Sequence, residues 1–112
     1  MTKGVHCAFV GTDLESRLRR SGVGAVVLAG LTTDHCVSTT ARVASDLGFK
    51  TTVVGDATAT FERVTAAGRR WPAEVMHETA LASLENEFAA IVDVEQVMVS
   101  LGGDRGAGMG KL

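Results

Sequence analysis

The run Gly30-Leu31-Thr32-Thr33-Asp34-His35-Cys36-Val37-Ser38-Thr39-Thr40-Ala41-Arg42 sets a cysteine between an apolar stretch and a segment of helical spacing. Such a junction can turn a thiol into a nucleophile. The N–H groups and positive dipole end of a helix start favour the thiolate, which is the form that attacks a carbonyl carbon. An inert, buried cysteine is the commoner occurrence in an apolar chain, so the neighbours of Cys36 carry weight. His35 directly precedes it, placed either to contact a substrate or to lie half-exposed in a first helical turn. Asp34 adjoins the site but is better suited to capping the helix than to accepting a proton.

The elements that would position Cys36 follow from local pattern. Ala25-Val26-Val27-Leu28-Ala29, bounded by Gly24 and Gly30, reads as a fully buried parallel strand. Val37, Ala41, Ala44 and Gly48 share one face at helical spacing, so a helix is expected from near Cys36 to near Gly48. Upstream, Thr12-Asp13-Leu14-Glu15 has the form of a capping box opening a helix with Leu14 and Leu18 inward and Ser21-Gly22 at its end. Downstream, Lys50 to Val54 is a β-branched strand, Gly55-Asp56 is expected to turn the chain, and Asp56 to organise that turn. Phe61 to Ala66 is a candidate short helix. Pro72 opens a helix whose inward face carries Met76, Ala80, Leu84 and Phe88. His77 shares a face with Leu81 and Leu84 and reads as a satisfied core histidine. Ala89 to Val92 is a third strand, and Val94 to Leu101 a last helix. Alternating strands and helices imply a parallel sheet with right-handed crossovers and helices on its faces.

Four segments in register resemble the isochorismatase-like cysteine hydrolase superfamily, which includes nicotinamidases and N-carbamoyl amidohydrolases. They are Lys3 with Ala8-Phe9-Val10-Gly11-Thr12-Asp13-Leu14-Glu15, then VVLAGLTTDHCVSTTARVASDLGF, TTVVGDATATFER and HETALASLENEFAAIV. The resemblance implies a three-layer α/β/α fold with a parallel, Rossmann-like sheet, of which this sequence holds the carboxy-terminal portion without the amino-terminal strands. It implies one partial domain over residues 1–101; the five glycines of residues 102–112 read as a flexible tail. It also implies a Cys-Asp-Lys triad. Cys36 matches the nucleophile, and Lys3 matches the lysine that precedes the Ser-Ala-Phe segment of similar sequences, with Cys7 standing in the place of the serine. The backbone N–H groups of Thr32 and Cys36 match the oxyanion hole, and the Leu31-Thr32 bond matches a non-proline cis peptide. Phe9 and His35 are candidate substrate contacts. The triad acid has no counterpart in the sequence.

The implied reaction is cleavage of an amide or ureido C–N bond in a small molecule through a cysteine thioester. The alternative is a truncated or degenerate family member acting only as a structural or oligomer subunit. Hydrophobic residues make up 46% of the 112, enough for one compact core and too few residues for a second domain. A net charge of -2 without a Lys/Arg block gives no footprint for nucleic acid or membrane. Two cysteines with no metal-ligand spacing and three scattered histidines imply no metal, no cofactor and no disulfide framework. The amino terminus lacks a secretory signal and no window reaches a transmembrane length, so a cytoplasmic location is expected. An unpaired edge on the Ala25 to Ala29 strand would favour a homo-oligomer. Gly22-Val23-Gly24 precedes a strand where a dinucleotide fingerprint must follow one, and the terminal glycines lack the Walker spacing.

Overall fold

A computed structural model describes residues 7–103 and 109–111. In chain order it contains α1 (Leu14–Arg20), β1 (Ala25–Leu31), a π-helical turn (Thr33–Val37), α2 (Ser38–Asp46), β2 (Lys50–Ala59), β3 (Arg63–Val64), β4 (Arg70–Trp71), α3 (Ala73–Leu84), β5 (Ala90–Val92), α4 (Val94–Gly103) and β6 (Met109–Lys111). The main sheet is parallel throughout, with strand order β5-β2-β1-β6. The connections from β1 to β2 and from β2 to β5 run the same way along the sheet, so by the right-handed rule α2 and α3 share one face, consistent with their mutual contact. Since β6 lies on the far side of β1 from β5, the same right-handed rule assigns α4, which contacts β2, to the opposite face. The result is a three-layer α/β/α arrangement.

The apolar run of β1 is buried on both faces, as expected for a strand inside a parallel sheet. Val26 and Leu28 join Val53 of β2, Ala41 and Ala44 of α2, and Leu84 of α3 in the core, with Leu14 and Leu18 of α1 and Phe49 completing it. Burying a side chain such as Leu84 or Val53 contributes about 1.5–3 kcal/mol. α2 ends at Leu47, followed by Gly48 at φ 92, a left-handed position that favours glycine.

Several local expectations give way to longer-range pairing. The capping box does not form. The Thr12 hydroxyl instead donates to the Ala8 carbonyl at 2.6 Å and accepts the Leu14 N–H at 3.3 Å, closing the 7–12 segment on itself. Gly55-Asp56 does not turn the chain, because β2 continues to Ala59 alongside β1. Leu28 pairs with Val53 but Gly30 with Thr58, so β2 carries a bulge there, tied by the Thr58 hydroxyl to the Gly55 carbonyl at 3.1 Å. Asp56 reaches out from this bulge and accepts the Val94 N–H at 2.8 Å, capping α4. In place of a helix around Phe61 to Ala66, β3 and β4 pair antiparallel. Pro72 is the N-cap of α3 and not its first helical residue.

Within the stretch expected to be a flexible tail, β6 pairs with Ala25, Val26 and Val27 of β1. The edge expected to stand open is therefore occupied over those three residues. Among the described residues, no helix is long and apolar enough to cross a membrane.

Candidate active site

β1 delivers its carboxyl end to the crest of the sheet, where open α/β folds place their ligands. The Leu31-Thr32 peptide there is cis. Thr32 is extended, and its carbonyl accepts both the His35 N–H at 3.2 Å and the Val37 N–H at 3.0 Å. The second of these spans five residues and makes the turn π-helical. The helical turns thus begin at Thr33, earlier than the residue spacing suggests, and run into α2 without a break in αR backbone at Val37 and Ser38. Cys36 sits inside this first turn, partly exposed.

The thiol-bearing residue borders a cleft of about 110 Å³. Leu28, Ala29 and Leu31 supply one wall from β1, Val37 and Thr40 another from the helix, and Ala8 the rim. A buried hydrogen bond from the Ala8 N–H to the Thr40 hydroxyl, 3.0 Å, holds the 7–12 segment against α2. Cys7, one residue earlier, is buried. Phe9 turns away from this cleft and stacks on Phe49, centroids 5.9 Å apart, with the Arg19 guanidinium 4.4 Å from the Phe49 ring centroid. Ala8 therefore lines the cleft, and Phe9 packs against the core beneath it.

Polar contacts hold the turn from two sides. Thr33 is fully buried, and its hydroxyl lies 2.7 Å from His77 Nδ1 on α3. Asp34 does not cap the helix. Its Oδ1 accepts the Thr60 hydroxyl at 2.5 Å and the Arg63 guanidinium at 3.3 Å. Burial pushes the Asp34 carboxyl up, but the Thr60 hydrogen bond, its own backbone N–H and the charges of Arg63 and His35 together outweigh burial and leave it below the ordinary 3.8. His35 is half-exposed, with the Arg63 guanidinium 3.5 Å from its Nδ1 and Asp34 Oδ2 3.9 Å from its Nε2.

The structure thus brings together Thr32, His35 and Cys36 on one turn and sets Phe9 elsewhere. Lys3 lies outside the described residues. Thr60 and Arg63 were not legible as site residues, since both depend on β2 running past Gly55. The alternation of buried Thr58 and Thr60 is the signal that could have found them. No group of three or more His, Cys, Asp or Glu side chains able to hold a metal ion occurs among the described residues.

Residues 1–96 match the isochorismatase domain family. The isochorismatase family protein YrdC of Bacillus subtilis is 42% identical over 98 residues, covering 88% of this chain and 52% of that protein. Nicotinamidase 3 of Arabidopsis thaliana is 36% identical over 102 residues, covering 91% and 46%. A solved structure of the isochorismatase family from Chromobacterium violaceum superposes with a TM-score of 0.86 at 34% identity, covering 91% of this chain and 53% of that one. The chain spans about half the length of the relatives it matches. The family match takes in both the strand and the turn that carry Cys36, and on that match the chain belongs to the isochorismatase family.

Proposed function

We propose that this chain carries the nucleophile half of a cysteine amidase acting on an amide or ureido bond of a small molecule. The observation that carries this reading is the placement of Cys36, partly exposed, in the first helical turn after β1 and on the wall of a cleft. In the proposed reaction the Cys36 thiolate adds to the carbonyl carbon, and negative charge collects on the carbonyl oxygen. The backbone N–H groups of Thr32 and Cys36 are the proposed donors to that oxyanion. The C–N bond then breaks, the departing nitrogen takes up the proton the thiol gave up on ionising, and a thioester remains, or a thiocarbamate from a ureido substrate. Water adds to this acyl-enzyme carbonyl, the C–S bond breaks, and the carboxylic acid, or the carbamic acid from a ureido substrate, leaves as the thiol is returned. Lys3 is proposed, by resemblance, as the ammonium that stabilises the thiolate, and His35 as a contact at the cleft mouth. Similarity to a nicotinamidase supports the amide substrate class.

Competitive alkylation tests the nucleophile. Iodoacetamide should label Cys36 faster than Cys7 at neutral pH, and Lys3→Met should slow the labelling of Cys36 if the two groups meet. Equal rates at the two cysteines, or preference for Cys7, would refute the assignment of Cys36.

One observation favours a second reading, a family member that serves an assembly without turnover. The carboxylate of the turn, Asp34, is engaged by Thr60 and Arg63, and no carboxylate lines the Cys36 cleft among the described residues. Ammonia release from nicotinamide and N-carbamoyl compounds separates the two. Fast labelling of Cys36 with no ammonia release supports the second reading, and release abolished by Cys36→Ala supports the first.

A further inference from the structure

Resting on the reading of Cys36 as nucleophile, we propose that His77 is a positioning residue for the reacting turn. Thr33 lies between Thr32 and Cys36, the two residues proposed to present the oxyanion donors and the sulfur. Its side chain is fully buried, and its hydroxyl meets Nδ1 of His77 at 2.7 Å from an element 44 residues away in sequence. On the other side, the Thr60 hydroxyl holds Asp34. The turn is clamped between α3 and the end of β2, and His77 is the α3 half of the clamp.

Space filling alone does not require a histidine here. The inward neighbours of His77 on α3, Leu81 and Leu84, are aliphatic and belong to the core or pack against it. A ring nitrogen brought into this layer must have a partner, and so must the buried Thr33 hydroxyl, which makes each the other's answer. Among the described residues no buried side-chain nitrogen or oxygen is left without one. If the ring nitrogen is removed, Thr33 loses this bond and the turn can rotate to find another. Because the Thr32 carbonyl holds both the His35 and Val37 N–H groups, such a rotation carries Cys36 with it. Displacements near one ångström at a reacting group cost about a hundredfold in rate.

The test compares His77→Leu, His77→Asn, Thr33→Val and the Leu/Val double variant in the full chain. The readouts are the ratio of Cys36 to Cys7 alkylation rates and a thermal melt. His77→Leu and Thr33→Val should each lower the ratio, by up to about a hundredfold for a full ångström of displacement. The double variant should do no worse than either single one, and His77→Asn, whose amide reaches the Nδ1 position, should restore much of the ratio. If His77→Leu does not fold, Thr33→Val, which leaves α3 intact, carries the comparison. A lowered melting temperature with an unchanged labelling ratio would mean a purely structural histidine and would overturn the proposal. A wild-type chain in which Cys36 labels no faster than Cys7 would instead overturn the nucleophile reading and take this inference with it.

Discussion

Replacing Thr60 with valine removes a single hydroxyl from the support of the Cys36 turn at nearly constant volume. The Thr60 hydroxyl donates to Asp34 Oδ1 at 2.5 Å, and the Asp34 side chain retains only 12% of its exposure. A hydrogen bond to a charged acceptor contributes about 1.5–3 kcal/mol net, and here the substitution also sets a methyl group against a partly desolvated carboxylate. Arg63, at 3.3 Å, remains as a partner and limits the loss. The expected cost is therefore near the middle of that range, about 2 kcal/mol, or a drop of about 8–16 °C in Tm for a domain of this size. The deficit should depend on pH. The folded-state carboxyl of Asp34 titrates below its unfolded value, so its contribution is fully present above the unfolded pKa and is lost as pH falls through the folded one. Thr60→Val and wild type should thus differ most near neutrality and converge in acid, once the pH has fallen through the lowered carboxyl of folded Asp34. Urea unfolding at constant m-value, repeated across that range, measures it. Identical midpoints at pH 7, or a gap that persists undiminished in acid, would refute the role assigned to this bond.

Three other perturbations address the scaffold. Asp56→Ala removes the acceptor of the Val94 N–H and should cost about 1 kcal/mol, with faster hydrogen exchange at the Val94 amide. Gly30→Ala puts a side chain at φ 124, where L residues are strained, and should destabilise by about 1–3 kcal/mol in urea unfolding while leaving the secondary structure content measured by circular dichroism unchanged. Ending the chain at Gly103 deletes β6 and unpairs Ala25, Val26 and Val27 on one edge of β1. Light scattering over a concentration series should then show self-association rising relative to the full chain. Unchanged scattering would mean that β6 does not protect this edge.

What the sequence by itself determined is whatever depends on spacing within one element. The inward positions of α1 at Leu14 and Leu18, the buried run of β1, the core face shared by Val37 of the turn with Ala41 and Ala44 of α2, and the stop at Gly48 all follow from periodicity and local backbone preference. The position of Cys36 at a strand-to-helix junction was legible for the same reason, and the oxyanion donors and the cis bond came from resemblance to a family. Tertiary structure decided everything that needs a partner distant in sequence. β2 extends through Gly55-Asp56 because β1 offers it a ladder, with a bulge that no local pattern announces. That extension lifts Thr60 to Asp34 and converts an expected helix cap into a clamp. The Thr33 hydroxyl finds His77, Phe9 leaves the cleft to stack on Phe49, and β6 pairs with β1. A side chain's rotamer preferences and the period of its element are local properties. Its hydrogen-bond partner is set by which surfaces the packed layers bring within about 3 Å, and that is known only once the chain has folded.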